Sequence, residues 1–427
     1  MRQSKLFRSA ARLTLAIGLA AGLASTTRAD VVLDWNAVMQ ATVIVQPSNP
    51  NLQTRWGAIV QLAVFEAVNS ITGDYEPYLG TIDAPAWAST EAAVIAAAHR
   101  TLVTLRPDAA AALDELRDMS LAAITDGPEK DAGIEVGEAA AAAMLELRAD
   151  DGSNVNPAYP GGTEPGQWQP APPSFTAALL PGWGQVTPFG IESGSQFRLP
   201  APPDLRTGKY ATDLNEVKLL GRVNSAFRPQ DRTDVARFYA SASPVQVWNS
   251  AARQTSAAQG LTLSQNARLF ALIAMATADA SIAMWDTKYH YGFWRPITAI
   301  RGASSDGNPQ TEADLDWLPL ISTPAHPSYA SGHASVSGSA RAVMEWALGK
   351  DGHDVTLTHA AVPGVELHYA SWKEITDDID DARIYGGIHY RFDQEAGAHL
   401  GNQVGSYILR NYLRTPAELE DSDDDEQ

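Results

Sequence analysis

Arg383, His389 and Asp393 stand six and four residues apart in the run Arg383-Ile384-Tyr385-Gly386-Gly387-Ile388-His389-Tyr390-Arg391-Phe392-Asp393. They supply a fixed cation, an imidazole nitrogen and a carboxylate to orient the ring, which is an oxyanion site in outline. An imidazole attacks or ligates through one nitrogen when the other is held as a donor, and Asp393, one helical turn on, is placed to hold it.

Two upstream stretches carry matching chemistry. Lys288-Tyr289-His290-Tyr291-Gly292-Phe293-Trp294-Arg295-Pro296 sets a lysine seven residues before an arginine followed by proline. His326-Pro327-Ser328-Tyr329-Ala330-Ser331-Gly332-His333 is a turn that runs into a helical pattern with apolar Val336, Ala340, Val343, Met344 and Ala347, ending at Gly349. Ser331 can cap that helix, so free N–H groups and the helix dipole point back at the turn. An oxyanion resting there would meet the Gly332 amide and the Ser331 hydroxyl.

Together the three stretches resemble the signature blocks of the vanadium-dependent haloperoxidase and type 2 phosphatidic acid phosphatase superfamily, and within it the soluble bacterial haloperoxidase-like proteins. Those blocks read Lys-x6-Arg-Pro, Pro-Ser-Gly-His and Ser-Arg-x5-His-x3-Asp. Every charged and imidazole position is filled here in the same order, over roughly the last third of the chain. The chain departs at Ala330, where the family usually has proline, and at Ala382, where it has serine; neither is a primary ligand position.

The resemblance implies a helical-bundle fold and a vanadate cofactor bonded to a ring nitrogen of His389. Lys288, Arg295, Arg383, Ser331 and the Gly332 amide would hold its oxygens, with His333 as acid/base and Asp393 behind His389. Hydrogen peroxide and halide would be the substrates and hypohalite the product. Preorganised donors that spread an oxyanion's charge are usually the largest catalytic contribution. The same constellation suits a soluble secreted acid phosphatase, in which His389 attacks the phosphorus of a phosphate ester to give a phosphohistidine and His333 protonates the leaving alkoxide. Length favours the first reading: the soluble acid phosphatases resemble a single bundle, whereas an added N-terminal helical half looks like the haloperoxidases. A silent oxyanion binder would have little need of His333.

His326 lies five positions before Ser331. Chloride-oxidising fungal relatives resemble one another in having phenylalanine there, and algal bromide-oxidising relatives in having histidine. The resemblance thus implies bromide and iodide oxidation over chloride, with His326 near peroxide or halide and titrating near neutrality.

The rest of the chain must position these groups. Met1 to Ala29 reads as an export signal, with Arg2, Lys5, Arg8 and Arg12 before the apolar run Leu13 to Ala24 and a small-x-small site at Thr27-Arg28-Ala29. Its removal, expected for a periplasmic or secreted protein, deletes five basic and no acidic residues and takes the formal charge from −19 to −24. Such an acidic chain repels nucleic acid and anionic lipid surfaces, so an anion site must be a local positive island. Cysteine is absent, which removes disulfides and thiolate chemistry and leaves stability to a core built from 45% hydrophobic residues.

Apolar spacing predicts an all-α chain. Residues 30–150 form an N-terminal helical bundle: Asp34 to Val45 with Asp34 as cap, Asn51 or Thr54 to Asn69, Glu91 to Leu105, Ala109 to Ile124 and Glu129 to Leu147. Residues 151–208 are rich in Pro, Gly and aromatics. Trp168, Phe175, Trp183 and Phe189 make them an ordered excursion beside the pocket mouth. A catalytic bundle fills 209–415, with helices at Tyr210 to Asn224, Asp234 to Tyr239, Val245 to Ala258 and Ser264 to about Tyr289. In the last, Asp279 breaks the apolar run before it could cross a membrane. Asp279 and Asp286 share a face there and could pair with the site arginines. Ser371 and Glu374 form a capping box before Arg383. Gly397, Gly401 and Gly405 permit close helix contact after Asp393. No β-alternation stands out, and the acidic tail 416–427 is expected to be disordered.

Overall fold

The computed structural model describes residues 30–44 and 49–424, so the export signal read at residues 1–29 lies outside the described residues. The N-terminal half consists of α1 (Val31–Met39), α2 (Pro50–Thr72), α3 (Thr90–Leu105), α4 (Ala110–Ala122) and α5 (Pro128–Leu147). Asp30, and not the expected Asp34, caps α1 by accepting from the Val32 amide at 2.8 Å. Asp34 already lies in the first helical turn.

The C-terminal half contains α6 (Gly208–Leu220), α7 (Gln230–Ser241), α8 (Pro244–Gln259), α9 (Leu263–Tyr291), α10 (Pro296–Gly302) and α11 (Gly332–Leu348). The antiparallel strands β1 (Asp351–Thr358) and β2 (Glu366–Ser371) follow, then α12 (Trp372–Tyr385), α13 (Arg391–Asn411) and α14 (Pro416–Asp424). The fold is all-α as expected, with this one short hairpin between α11 and α12 that the sequence did not reveal. Val355 and Leu357 face inward in β1 and Tyr369 in β2, a pattern too short to stand out between two helices. Residues 416–424, expected to be disordered, are helical, and Glu418 pairs with Arg268 of α9 at 2.7 Å.

Helix α9 joins the halves. It begins at a Thr262/Gln265 capping box and packs on α2 from one half and on α11 and α13 from the other. Asp279 does not limit it as expected: by length and composition the helix could cross a bilayer, yet 94% of its apolar window is buried within the protein. Gly292 ends it in the left-handed region at φ 56°, which glycine tolerates, and the chain turns there toward Arg295.

Helices α11 and α13 lie in close contact along the glycine stripe. A Cβ at Gly401 would fall 2.1 Å from the Ser335 carbonyl oxygen, and one at Gly397 2.6 Å from that of Ser331. This approach brings the N-terminal ends of both helices together, and the Ser331 amide donates to the Asp393 carbonyl at 2.9 Å.

The excursion between α5 and α6 is ordered and buries Trp168, Trp183 and Phe189, whereas Phe175 is exposed. Neither Asp279 nor Asp286 pairs with Arg295 or Arg383. Asp279 accepts from the amides of Phe189, Gly190 and Ile191 at 2.7–2.8 Å. Asp286 forms a two-pronged ion pair with Arg198 at 2.6 and 2.9 Å. Their shared face of α9 meets the excursion, and both acids fasten it down.

Candidate active site

His389 sits just before α13, with Tyr390 at the N-cap and Asp393 in the first turn. Its Nδ1 lies 2.7 Å from Asp393 Oδ2, which also accepts from Ser328 Oγ at 2.6 Å and the Tyr390 amide at 3.2 Å. Nε2 lies 3.1 Å from the Arg295 guanidinium. A guanidinium only donates, so Nε2 carries the lone pair and Nδ1 the hydrogen. Burial raises the Asp393 carboxyl, while Ser328, Lys288 and the Tyr390 amide pull it back down. Burial also drives the His389 imidazolium well below its ordinary value, reinforced by Arg295 and Lys288. The ring is therefore neutral at neutral pH, with a nucleophilic or ligating nitrogen exposed to the cations.

Three buried cations surround it. Arg295, the N-cap of α10, donates to the carbonyls of His326 and Ile388, both at 2.8 Å. Lys288 near the end of α9 donates to the carbonyls of Pro327 at 2.9 Å, Ser328 at 2.8 Å and Ala330. An ammonium has three N–H groups. Lys288 thus fastens the 326–331 loop and adds its charge from behind it. Arg383, in the last turn of α12, donates to the Tyr239 carbonyl at 3.0 Å, and its buried Nε–H has no partner. Burial lowers all three pKa values: Lys288 falls well below its ordinary value, aided by Arg295, while Arg295 falls to about 10 and Arg383 to about 9. Clustered cations out of water are costly without a counter-charge, and one carboxylate does not supply enough. The arrangement fits a multiply charged oxyanion such as vanadate: a lone pair for the central atom and cations and N–H groups for the oxygens.

Ser331 caps α11 as the sequence predicts, its Oγ accepting from the Ala334 amide at 3.4 Å. Gly332, His333, Arg383, His389 and His326 line one cavity of about 400 Å³, walled further by Leu179, Met284, Trp285, Ile321 and Val336. His333 Nε2 donates to the Tyr239 carbonyl at 3.1 Å, the same oxygen that holds Arg383. Its Nδ1 is then the basic nitrogen. Burial and Arg383 press the His333 pKa well down. Tyr239 is itself braced: its hydroxyl lies 2.8 Å from that of Tyr369 in β2, which donates to Asp378 of α12.

His326 does line the cavity, packed against Trp285 with ring centroids 4.7 Å apart and the planes tilted by 44°. The Arg295 guanidinium lies 2.9 Å from the His326 Nδ1 and 3.4 Å from its Nε2, and Nδ1 is 3.2 Å from the Pro327 carbonyl oxygen. The expected titration near neutrality is corrected, because burial and then Arg295 and Lys288 push its pKa well below the ordinary value.

All the sequence-derived residues therefore converge: Lys288, Arg295, His326, Ser331, Gly332, His333, Arg383, His389 and Asp393. Sequence reasoning missed Ser328 as a second donor to Asp393 and the Tyr239 carbonyl as the shared anchor. Ser328 lies inside the Pro/Ser/Gly block and was findable there; a carbonyl carries no sequence signal. It also missed Asn51 and Thr54, which bring the start of α2 into the cavity wall.

Residues 268–416 match the family model described as the second helical-bundle domain of vanadium chloroperoxidase. A vanadium chloroperoxidase of Curvularia inaequalis is 29% identical over 31% of this chain and 29% of that protein. A vanadium-dependent bromoperoxidase of Corallina pilulifera is 28% identical over 27% of this chain and 21% of that protein. The aligned segments thus span under a third of either relative's length. Among solved structures, a bacterial vanadium-dependent iodoperoxidase superposes with TM-score 0.75 at 23% identity, covering 91% of this chain and 97% of that one. An apo bacterial vanadium-dependent chloroperoxidase gives 0.69 at 19% identity, covering 87% and 96%. The whole-chain architecture is that helical fold.

Proposed function

We propose that this chain, whose residues 268–416 belong to the vanadium chloroperoxidase second helical-bundle family, is a vanadate-dependent peroxidase that converts halide and hydrogen peroxide to hypohalite and water. The observation that carries the reading is the His389 Nε2 lone pair, fixed by Asp393 and enclosed by Lys288, Arg295 and Arg383. Vanadate, when bound, supplies the Lewis-acid centre that makes peroxide electrophilic toward halide. His389 Nε2 would hold the vanadate, and Asp393 keeps that nitrogen unprotonated by holding the Nδ1 hydrogen. Arg295 and Arg383 balance the oxyanion's charge, with the Ser331 hydroxyl and the Gly332 amide donating at the start of α11. Lys288 contributes charge and keeps the loop in place. His333, held through Nε2, takes up and returns the proton at Nδ1.

Bromide and iodide are the proposed halides. His326 supports that choice: its ring lines the cavity beside the Arg295 guanidinium, where a halide would gather. The basic and apolar pattern of residues 1–29 supports export to the periplasm or the medium. Phosphoester hydrolysis through His389 is the competing chemistry. The purified protein, stripped of metal and given orthovanadate, bromide and peroxide, is expected to brominate a trapping dye. Fast phosphate release from an aryl phosphate with no dye bromination would reverse the assignment.

A further inference from the structure

Asp393 meets its surroundings through one oxygen. Oδ2 lies 2.7 Å from His389 Nδ1 and accepts from the Ser328 hydroxyl at 2.6 Å and from the Tyr390 amide at 3.2 Å, whereas the buried Oδ1 has no hydrogen-bond partner. Ser328 and Asp393 are both 0% exposed, so bulk solvent takes no part in the arrangement. A hydroxyl donating to a carboxylate at this length is a strong, charge-assisted hydrogen bond, and out of water its pull on the carboxylate's charge is little screened.

Ser328 is also where the blocks of the site meet. Its amide donates to the carbonyl of Phe293, two residues before Arg295, at 2.8 Å, and its own carbonyl accepts from Lys288 at 2.8 Å. The backbone on both sides therefore fixes where the hydroxyl lies. The side chain is not part of the cavity wall, and its closest approach to the imidazole is 3.4 Å, at Nδ1. Whatever it does to an anion in the cavity passes through Asp393 and His389.

We propose that Ser328 is a positioning residue that moderates the electron donation of His389 Nε2. The hydroxyl and the Nδ1–H draw on the same carboxylate oxygen. Charge that Ser328 takes up is lost to the imidazole, so Asp393 polarises the ring less and Nε2 is a weaker donor. The hold on the ring rests on the geometry alone; its consequence for turnover rests on the peroxidase reading. A less donating Nε2 leaves a bound vanadium centre more electron-poor, which favours attack by halide at some cost in vanadate affinity.

Two measurements on Ser328→Ala separate this from a merely structural role. In proton NMR of the vanadate-free protein, the His389 Nδ1–H, assigned by its absence from His389→Ala, is expected further downfield than in wild type, because Asp393 then pulls harder on that hydrogen. Spectroscopic titration should show orthovanadate bound severalfold tighter, while bromide turnover at saturating vanadate falls. A residue that only braces the site would give the opposite, an upfield or vanished proton and a loss of affinity of about 10–100-fold, as for partners of a ligand histidine. Ser328→Thr, which keeps the hydroxyl, should restore the wild-type proton position and affinity. Ser328→Cys, whose thiol is a weak donor, should show the changes of the alanine variant in smaller measure and serves if that variant does not fold. An Nδ1–H that stays in place or moves upfield, or vanadate bound no tighter by the alanine and cysteine variants, overturns the proposal. The NMR result needs neither vanadate nor activity, so a downfield shift in a protein that binds no vanadate would overturn the peroxidase reading and leave the hold of Ser328 on His389 established.

Discussion

The Ser331 amide donates to the main-chain carbonyl of Asp393 at 2.9 Å, so the turn that offers N–H groups to an anion is tied directly to the carboxylate that orients His389. The tie depends on α11 and α13 lying closer than side chains would allow, with glycine at each crossing. Gly401→Ala places a Cβ against the Ser335 carbonyl, 2.1 Å away before adjustment. Helix separation should cost about 1–3 kcal/mol and weaken vanadate binding together with it. Thermal unfolding and a vanadate titration of the variant check this; a lower midpoint with unchanged vanadate affinity would mean the two helix ends do not share one geometry.

Asp151 gives a pH-dependent prediction away from the site. Its carboxylate, with a side chain 1% exposed, receives Arg55 and Arg148 at 2.7 and 2.9 Å. Burial alone would raise its pKa, but the hydrogen bond and charge of Arg55, with Ser153 and Arg148, hold it below the ordinary 3.8. A folded value beneath the unfolded one gives stability that is complete above 3.8 and lost as pH falls through the folded value. Asp151→Asn should therefore cost about 3–5 kcal/mol at neutral pH, with the gap to wild type shrinking only in strong acid. Denaturant unfolding at neutral pH and near pH 3 measures it, and an undiminished gap in acid would exclude the ion pair as its source.

The cations, imidazoles and carboxylate of the site were legible because their order along the chain is distinctive and each block ends in a turn or a helix cap that announces its direction. What they touch was not. That Lys288 spends its N–H groups on the carbonyls of Pro327, Ser328 and Ala330, or that Tyr239 anchors both His333 and Arg383, depends on backbone atoms that every residue possesses. The helices of the long amphipathic runs were legible to within a few residues, although α6 stops at Leu220, short of the expected Asn224. The short hairpin from Asp351 to Ser371 was not, since its inward residues Val355 and Leu357 make too brief an alternation. Asp279 and Asp286 were given the wrong partners because one helical face does not say which neighbour it meets.

His326→Phe tests halide choice. Wild type should oxidise bromide and iodide well and chloride poorly, and the variant should lose part of the bromide rate while the chloride-to-bromide ratio rises severalfold. The buried histidine is neutral through the working range, so the pH profile should keep its shape. Initial rates with each halide at matched peroxide decide the matter; identical ratios in both proteins would remove His326 from halide selection.

In the proposed mechanism His389 and His333 divide the work, one holding vanadate through Nε2 and the other moving protons at Nδ1. Spectroscopic titration of orthovanadate into His389→Ala and His333→Ala, alongside bromide oxidation by each, measures it most directly. His389→Ala should bind vanadate so weakly that no saturation is reached, and His333→Ala should saturate near the wild-type concentration while turnover falls by about 10²–10⁴. Equal loss of vanadate affinity in the two variants, or full turnover by His333→Ala, would contradict it.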